Sequence, residues 1–280
     1  MGEFLVQREA LLYNWAFFGS IAAAAAVEGF WPRRTSVRPL RGRWLRHFAI
    51  AGLDQLTLRL LLPLLEVAAA LAAARAGLGL FHQLDVPRGA AFALSLVALD
   101  AVRYASHRLL HAVPWLWRLH RVHHTDVDYD FTTALRFHPL ESIFTGSVGV
   151  ATVAALGAPL EAVVVDKIVF AAAAFFAHAN VRLPARLDRA LRVALVTPDL
   201  HRVHHSARRE ETNSNYSSVC PVWDRLLGTY VAAPASGHES MTVGLPVFRE
   251  AHHGWLGWML ANPFLAERAG ASADAEPSPS

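Results

Sequence analysis

Residues 94–124 read LSLVALDAVRYASHRLLHAVPWLWRLHRVHH, an apolar run that leads directly into two groups of histidines. His107 and His111 stand four residues apart, and residues 120–124 follow the pattern His-x-x-His-His. Because positions i, i+3 and i+4 share one face of a helix, each group presents its imidazoles on one side. Pro114 suits the first turn of the helix that carries the second group. The stretch therefore predicts a membrane-crossing helix that ends at a histidine-rich site.

The pattern His-x-x-His-His occurs again at residues 201–205, after Thr197, Pro198 and Asp199, which are typical of the first positions of a helix. At the histidine frequency of this chain, roughly 0.04 copies of the pattern are expected by chance. Two are present. Neutral imidazoles bind iron, zinc, copper and nickel, and eight of them suit two ions, or one ion with supporting residues around it. The eight predicted metal ligands are His107, His111, His120, His123, His124, His201, His204 and His205.

Composition places the chain in a membrane. Of its 280 residues 54% are hydrophobic and 18% are charged, and the mean hydropathy is +0.27. Soluble domains carry about 25% charged residues. The single cysteine, Cys220, excludes a disulfide scaffold and any cysteine-based zinc or iron–sulfur site. The net charge of +3 does not indicate a nucleic-acid partner, because many arginines are concentrated in one short loop between apolar segments.

Long apolar stretches predict four or five transmembrane helices, because about 20 such residues cross a bilayer. The stretches cover residues 11–31, 50–81, 89–105, 140–165 and 163–179. The last two are expected to form a hairpin around Gly157 and Pro159. A buried helix of a soluble domain is the alternative for each stretch, above all for the second, which carries four ionisable residues.

The loop after the first stretch contains six arginines between residues 33 and 46 and no acidic residue. Cytoplasmic loops are enriched in arginine, so we expect this loop in the cytoplasm. Because successive spans cross the membrane in opposite directions, we expect every histidine group on the cytoplasmic side. A cleavable signal peptide at residues 11–26 is the competing interpretation, and it would place the loop outside.

Beyond Pro184 the chain becomes mixed polar and apolar, which is typical of a cap outside the bilayer. We therefore expect an all-α integral membrane protein whose cytoplasmic helical cap holds a histidine-rich site for two metal ions. Residues 1–268 are expected to form one membrane-embedded domain with its catalytic core at 90–235. The small and polar residues 269–280 are expected to form a disordered tail.

Two more histidines lie in suggestive positions. His178 ends the last apolar stretch, at the depth where the metal site is expected, and Asn180 follows it closely. We interpret His178 as a further ligand, with an interfacial anchor as the alternative. His138 lies directly before the hairpin and is, like Asn180, a candidate for a ligand or for a partner of one.

Asp100 and Tyr104 fall on the same helix face as His107 and His111. We expect Asp100 to accept the N–H of an imidazole and so to orient that ring. The other histidines are expected to be ordinary hydrogen-bonding residues, and these are His47, His82, His238, His252 and His253.

At these motifs the chain resembles the sterol desaturase and fatty acid hydroxylase superfamily of integral-membrane enzymes. Further similar blocks cover residues 100–107, 133–141, 178–184 and 223–230. The resemblance implies two iron ions in an oxygen-bridged centre, held by the eight histidines of the motifs, with O2 as co-substrate. His178 matches a position that supplies a further ligand or near-ligand in some members. Some members carry another histidine four residues later, where this chain has Arg182.

The expected function is therefore that of an O2-dependent oxidoreductase that hydroxylates or desaturates a C–H bond of a fatty acyl lipid, ether lipid or sterol in the bilayer. No flavin, haem or Gly-x-Gly-x-x-Gly motif is evident, so electrons should come from a separate donor such as a ferredoxin, or a cytochrome b5-like protein, with its reductase. The composition, rich in alanine and arginine with Lys167 as the sole lysine, indicates a bacterial inner membrane.

Two other classes of protein would use the same histidines. A membrane protein that binds or transports metal without redox chemistry should place ionisable residues in several spans. A zinc-dependent hydrolase needs three ligands and a carboxylate base, fewer histidines than this chain offers.

Overall fold

The computed structural model describes residues 2–61 and 66–267. The tail expected at residues 269–280 lies outside the described residues. The described residues form helices, and extended backbone pairs only in isolated β-bridges among them. Its α-helices are α1 (Gly2–Phe30), α2 (Leu40–Leu61), α3 (Glu66–Ala76), α4 (Leu80–Gln83), α5 (Arg88–Ala112), α6 (Pro114–His124), α7 (Pro139–Leu156), α8 (Leu160–His178), α9 (Ala185–Leu191), α10 (Pro198–His204), α11 (Arg209–Thr212), α12 (Val222–Leu226), α13 (Gly237–Ser240) and α14 (Leu256–Ala261). Short 3-10 helices cover Phe131–Leu135, Ala251–Gly254 and Asn262–Phe264.

Within the part of the chain that the structure describes, four segments are long and apolar enough to cross a membrane, which confirms the lower of the two predicted numbers. They are 11–30, 40–83, 88–112 and 139–156. Large apolar side chains on these helices point outward, including Trp15 at 72% exposure and Leu60 at 69%. Such faces are stable against lipid, so the protein is an integral membrane protein.

The predicted hairpin forms, but its second helix, α8, is not among the four spans because it carries three charged residues. Each of the three is paired with a neighbouring helix. Asp166 binds Arg103 of α5, Lys167 lies 3.8 Å from Glu66 of α3, and Glu161 binds Arg88 at the start of α5. Charges inside an apolar bundle are tolerated when they are paired in this way, so α8 serves as a central helix packed on α1, α3 and α5.

The turn of the hairpin is fixed by glycine. Gly157 ends α7 with φ +65°, a left-handed conformation. Gly79, before α4, packs against it so closely that a Cβ on Gly79 would lie 2.2 Å from the Gly157 nitrogen. This contact joins the hairpin turn to the start of α4 at the end of the bundle away from the histidines.

The long helices meet at the opposite end, which we call the histidine end because α5 and α8 finish there with His107, His111 and His178. The last turn of α1 reaches it through Glu28, whose Oε1 accepts hydrogen bonds from the backbone N–H of Phe131 and Asn180, each 2.8 Å long. The histidines therefore lie together at one end of the bundle, as the alternation of spans predicts.

Candidate metal centre

The short helices that carry the histidine motifs begin where the sequence predicts. Pro114 occupies the first turn of α6, and Pro198 that of α10. Thr197 caps α10, since its Oγ1 accepts the Leu200 N–H at 3.4 Å. The same hydroxyl donates to Asp188 at 2.6 Å, which ties α10 to α9. Both motifs are thus held on rigid helical turns with their start positions fixed.

The nine histidines predicted as ligands fall into two groups, each able to hold a metal ion. Within each group the ligand nitrogens lie within 4.8 Å of one another. The five-histidine group is His107, His111, His120, His124 and His204. The four-histidine group is His123, His178, His201 and His205. The two groups are adjacent, because the ring of His124 lies 4.7 Å from that of His205, and the ring of His204 lies 5.1 Å from that of His201.

The two His-x-x-His-His motifs share their histidines between the groups in opposite ways. In α6 the first and last histidines, His120 and His124, join the five-histidine group, and His123 joins the other. At α10 the outer pair His201 and His205 joins the four-histidine group, and His204 joins the other. Because residue i+3 is rotated away from the i, i+4 pair, one helical turn can supply ligands to two neighbouring ions.

In the five-histidine group the Nε2 atoms converge. Nε2 of His120 lies 3.0 Å from Nε2 of His107 and 3.2 Å from that of His124. The buried Nε2 atoms of His111 and His204 have no hydrogen-bond partner among the described residues. A neutral imidazole carries one N–H, so such a cluster cannot satisfy itself by hydrogen bonds. A metal ion accepting these lone pairs would satisfy it.

The four-histidine group shows the same convergence. Nε2 of His178 lies 3.2 Å from Nε2 of His123 and 3.1 Å from that of His201. Both ring nitrogens of His205 are buried without a partner among the described residues. Unpartnered buried nitrogens are costly, and in this group one ligand nitrogen of each histidine lies within 4.8 Å of those of the others. The residues of both groups therefore fit bound metal ions.

Burial also sets the protonation state of the motif histidines. It lowers the pKa of His120 to about 3, and, with help from neighbouring imidazoles, it lowers the pKa of His123, His124 and His204 well below the ordinary value. These rings are therefore neutral at pH 7, which is the form that binds metal.

Hydrogen bonds to the Nδ1 atoms fix which nitrogen faces the cluster. His107 donates to the Tyr216 carbonyl at 2.7 Å, and His204 donates to the Ser214 carbonyl at 2.7 Å. His178 donates to a carbonyl of its own helix at 2.8 Å. Because a carbonyl only accepts, Nδ1 carries the proton and Nε2 keeps its lone pair for a metal.

Glu141 plays the orienting role that the sequence analysis assigned to Asp100. Its Oε1 lies 2.6 Å from Nδ1 of His120, and the carboxyl is 2% exposed. Asp100 instead accepts a hydrogen bond from the Trp223 indole at 2.9 Å, so the expectation for Asp100 is wrong. A signal for Glu141 was present, since this acidic residue follows His138 by three positions at the start of an apolar helix.

Three other residues that the sequence analysis named around the metal site form hydrogen bonds to groups outside the histidine cluster. Nδ1 of His138 accepts the Leu140 N–H at 3.1 Å, which makes His138 the N-cap of α7 and places it outside both groups. The Tyr104 hydroxyl bonds Thr229 at 2.9 Å. Asn180 holds the backbone of Arg34 on both sides, at 3.1 Å and 2.7 Å. These residues hold the surrounding segments in place and do not face the cluster.

Arg182, which stands where some relatives of this type carry a histidine, is 61% exposed and pairs with Glu239 on the surface. It contributes nothing to the four-histidine group. The aromatic rings that pack against the cluster include those of Tyr216, on His107 and His204, and of Tyr129, on His205. Sequence reasoning did not find these tyrosines, because neither lies at helical spacing from a histidine motif.

Residues 92–229 match the fatty acid hydroxylase family, and all nine clustered histidines lie within that segment. The segment that holds the histidines belongs to this family. The resemblance drawn from the histidine motifs is confirmed. No solved structure matches the chain significantly.

Curated relatives of this fatty acid hydroxylase domain act on lipids. The chain is 35% identical over 142 residues to an ornithine lipid hydroxylase from Rhizobium tropici, covering 50% of this chain and 42% of that protein. It is 30% identical to alkylglycerol monooxygenase from Homo sapiens over 57% of this chain and 36% of that protein. It is also 30% identical to alkylglycerol monooxygenase from Danio rerio, over 67% of this chain and 41% of that protein. The match thus spans about two fifths of each relative's length.

Proposed function

We propose that this protein is a membrane-bound diiron oxygenase that hydroxylates a C–H bond of a lipid, with O2 as co-substrate. The observation that carries the proposal is the division of nine histidines, seven of them buried, into two adjacent groups. Hydroxylation is favoured over desaturation because the relatives are named as a hydroxylase and a monooxygenase. Their printed substrates, an ornithine lipid and an alkylglycerol, favour a lipid with a polar headgroup.

Each group would hold one iron ion, the five-histidine group one and the four-histidine group the other. The bound irons would supply the activation of O2 and the oxidation of an unactivated C–H bond, which no side chain performs unaided. Imidazole suits iron, and the two groups adjoin closely enough to hold a pair of ions.

The chain itself positions the ligands and excludes water. His120 is 2% exposed, and His124 and His205 are each 1% exposed, so bulk water does not reach them. Glu141 and the carbonyls of Ser214 and Tyr216 hold the rings in the tautomer that leaves Nε2 free. The site is therefore organised before substrate arrives, which is what a reactive oxidant requires.

The orientation in the membrane is part of the proposal. The arginines between residues 33 and 46 lie at the histidine end, since Arg34 binds Asn180 and Arg43 binds Asp126. An arginine-rich loop favours the cytoplasmic side, so we place the metal site there, in a bacterial inner membrane. Residues 1–268 are proposed as one domain, because the contacts of Glu28 and Arg43 join α1 and α2 to the core. Electrons would come from a separate ferredoxin or cytochrome b5-like donor.

Metal analysis tests the proposal directly. Protein purified from iron-supplemented cells should hold about two iron ions per chain. His204→Ala and His123→Ala, one from each group, should each lower the iron content, and the double variant should hold none. His82→Ala is the matched control, because His82 is exposed near the opposite end of the bundle and belongs to neither group.

Lipid extracts from cells expressing the wild type should contain species heavier by one oxygen atom, absent with the double variant. Species lighter by two hydrogens would instead indicate desaturation. Zinc in place of iron, without O2 consumption, would favour the hydrolase. Absence of any metal after reconstitution would refute the metal site and the oxygenase with it.

A further inference from the structure

A second site lies at the histidine end, in a cavity of about 160 Å³. It opens between the start of α2, residues 125–127 after α6, and residues 248–255. We call it the arginine cavity. Its charged lining residues are Arg38, Arg43, Arg46, Arg136, Asp126 and Glu250. Four arginines face two carboxylates in the lining, and Asp130 behind them also pairs with Arg43, which leaves one positive charge in excess and favours an anionic ligand.

Two of these arginines are already engaged within the protein. Arg43 is 5% exposed and binds Asp126 at 2.9 Å and 2.6 Å. Arg136 is 2% exposed and donates to the Val122 carbonyl and to Thr125, at 2.7 Å each. These bonds form the floor of the cavity and join it to the segment that follows the second histidine motif.

The other two arginines have no carboxylate partner among the described residues. The Arg38 side chain donates to the Arg249 carbonyl, and Arg46 forms no ion pair there. Two glycines leave room beside the Arg46 guanidinium. A Cβ on Gly42 would lie 3.6 Å from its Nη2, and one on Gly254 would lie 3.9 Å from its Nη1. Both glycines line the cavity, so an anion can approach this guanidinium closely.

The start of α2 also favours an anionic ligand in the arginine cavity. Pro39 and Gly42, at the first turn of this 22-residue helix, line the cavity, and the first turn contains no acidic residue. The positive end of the helix dipole therefore adds to the positive charge of the cavity, and Asp128 offsets part of it by accepting the backbone N–H groups of Val37 and Arg38 just before the helix.

The mouth of the cavity adjoins the bilayer. Leu45 and Phe48, on either side of Arg46 along α2, are 64% and 41% exposed and lie within a candidate span. Trp255, which is 56% exposed, forms part of the lining. Tryptophan is enriched where a membrane meets water. A lipid would place its headgroup in the cavity and its chains along these apolar side chains.

We propose that the arginine cavity binds the oxyanion headgroup of a membrane lipid, a phosphate or carboxylate held by Arg46 and Arg38. The volume suffices for such a group together with water. The site is independent of the metal ligands, so its occupancy can be measured without turnover and whether or not the proposed function is correct.

Calorimetric titration of the full-length protein in detergent tests this, with dihexanoyl phosphatidic acid as the anionic probe. Dihexanoylglycerol lacks the anion, and inorganic phosphate lacks the chains. Arg46→Gln and Arg38→Gln should each weaken binding of phosphatidic acid roughly tenfold, because each removes a charge-assisted hydrogen bond. Arg46→Lys keeps the charge and loses the planar guanidinium. Its affinity for phosphatidic acid should lie between those of the wild type and Arg46→Gln.

The matched control is Arg41→Gln, which removes the same charge from an exposed position on α2 that lies outside the cavity. It should bind phosphatidic acid like the wild type. Equal weakening by Arg41→Gln and Arg46→Gln would overturn the site in favour of general surface charge. Equal affinity for dihexanoylglycerol would overturn recognition of an anion, and equal affinity for inorganic phosphate would overturn the lipid. Unchanged unfolding temperatures are expected for the Arg46 variants, since no ion pair is lost.

Discussion

Replacing Glu141 by glutamine should weaken iron binding in one group and spare the other. With an iron ion bound in the five-histidine group, the positive charge favours the ionised Glu141 carboxylate, which accepts from Nδ1 of His120 at 2.6 Å. Glu141 is 2% exposed, so water cannot replace it. A hydrogen bond to a charged acceptor contributes about 1.5–3 kcal/mol, against about 1 kcal/mol for a neutral one. The loss of about 1–2 kcal/mol corresponds to roughly a five- to thirtyfold lower affinity, within the range of about 10–100-fold known for partners of metal ligands.

The assay is iron retention during dialysis against a graded series of chelator concentrations, with iron measured per chain. Wild type should lose both ions over one range, whereas Glu141→Gln should lose one ion at a lower chelator concentration and retain the other. Asp100→Asn is the matched control, because Asp100 is bonded to Trp223 and not to an imidazole. Retention of both ions as in wild type would refute the orienting role of Glu141. Simultaneous loss of both ions with a lower unfolding temperature would show that Glu141 is structural.

Three further outcomes are expected. Arg43→Met should lower the free energy of unfolding by about 3–5 kcal/mol, because it leaves the buried carboxylates of Asp126 and Asp130 without their partner; thermal unfolding measures this, and Arg41→Met should change little. Gly157→Ala should destabilise the hairpin by about 1–3 kcal/mol, since its φ is +65° and a Cβ would lie 2.7 Å from the His82 ring; equal unfolding temperatures for variant and wild type would contradict this. Removal of both ions should lower the unfolding temperature, since buried imidazoles then lack partners; zinc should restore the stability without O2 consumption.

Much of this architecture could be predicted from spacing and hydropathy. The period of the helix places i, i+3 and i+4 on one face, so the clustered imidazoles of residues 120–124 and 201–205 follow from local geometry. The apolar stretches and the break at Gly157 likewise follow from the requirement that backbone polar groups be satisfied within a bilayer. His178 was found because it ends an apolar helix on the side to which the spans lead.

The residues that the sequence could not assign are those whose roles depend on contacts between distant segments. Asp100 shares a helix face with His107, yet it bonds Trp223, because the loop carrying Tyr216 occupies the space beside His107. Glu141 reaches His120 from a different helix. Helical periodicity describes one element at a time, so it cannot show which of two carboxylates faces a given ring.

The opposite sharing of histidines by α6 and α10 has a consequence for assembly. Both helices must be packed together for either group to be complete. The five-histidine group takes His204 from α10, and the four-histidine group takes His123 from α6. An ion bound in either group would therefore hold α6 against α10 and would help to keep the ligands of the other group in place. Loss of the ion from one group should weaken the other group without emptying it.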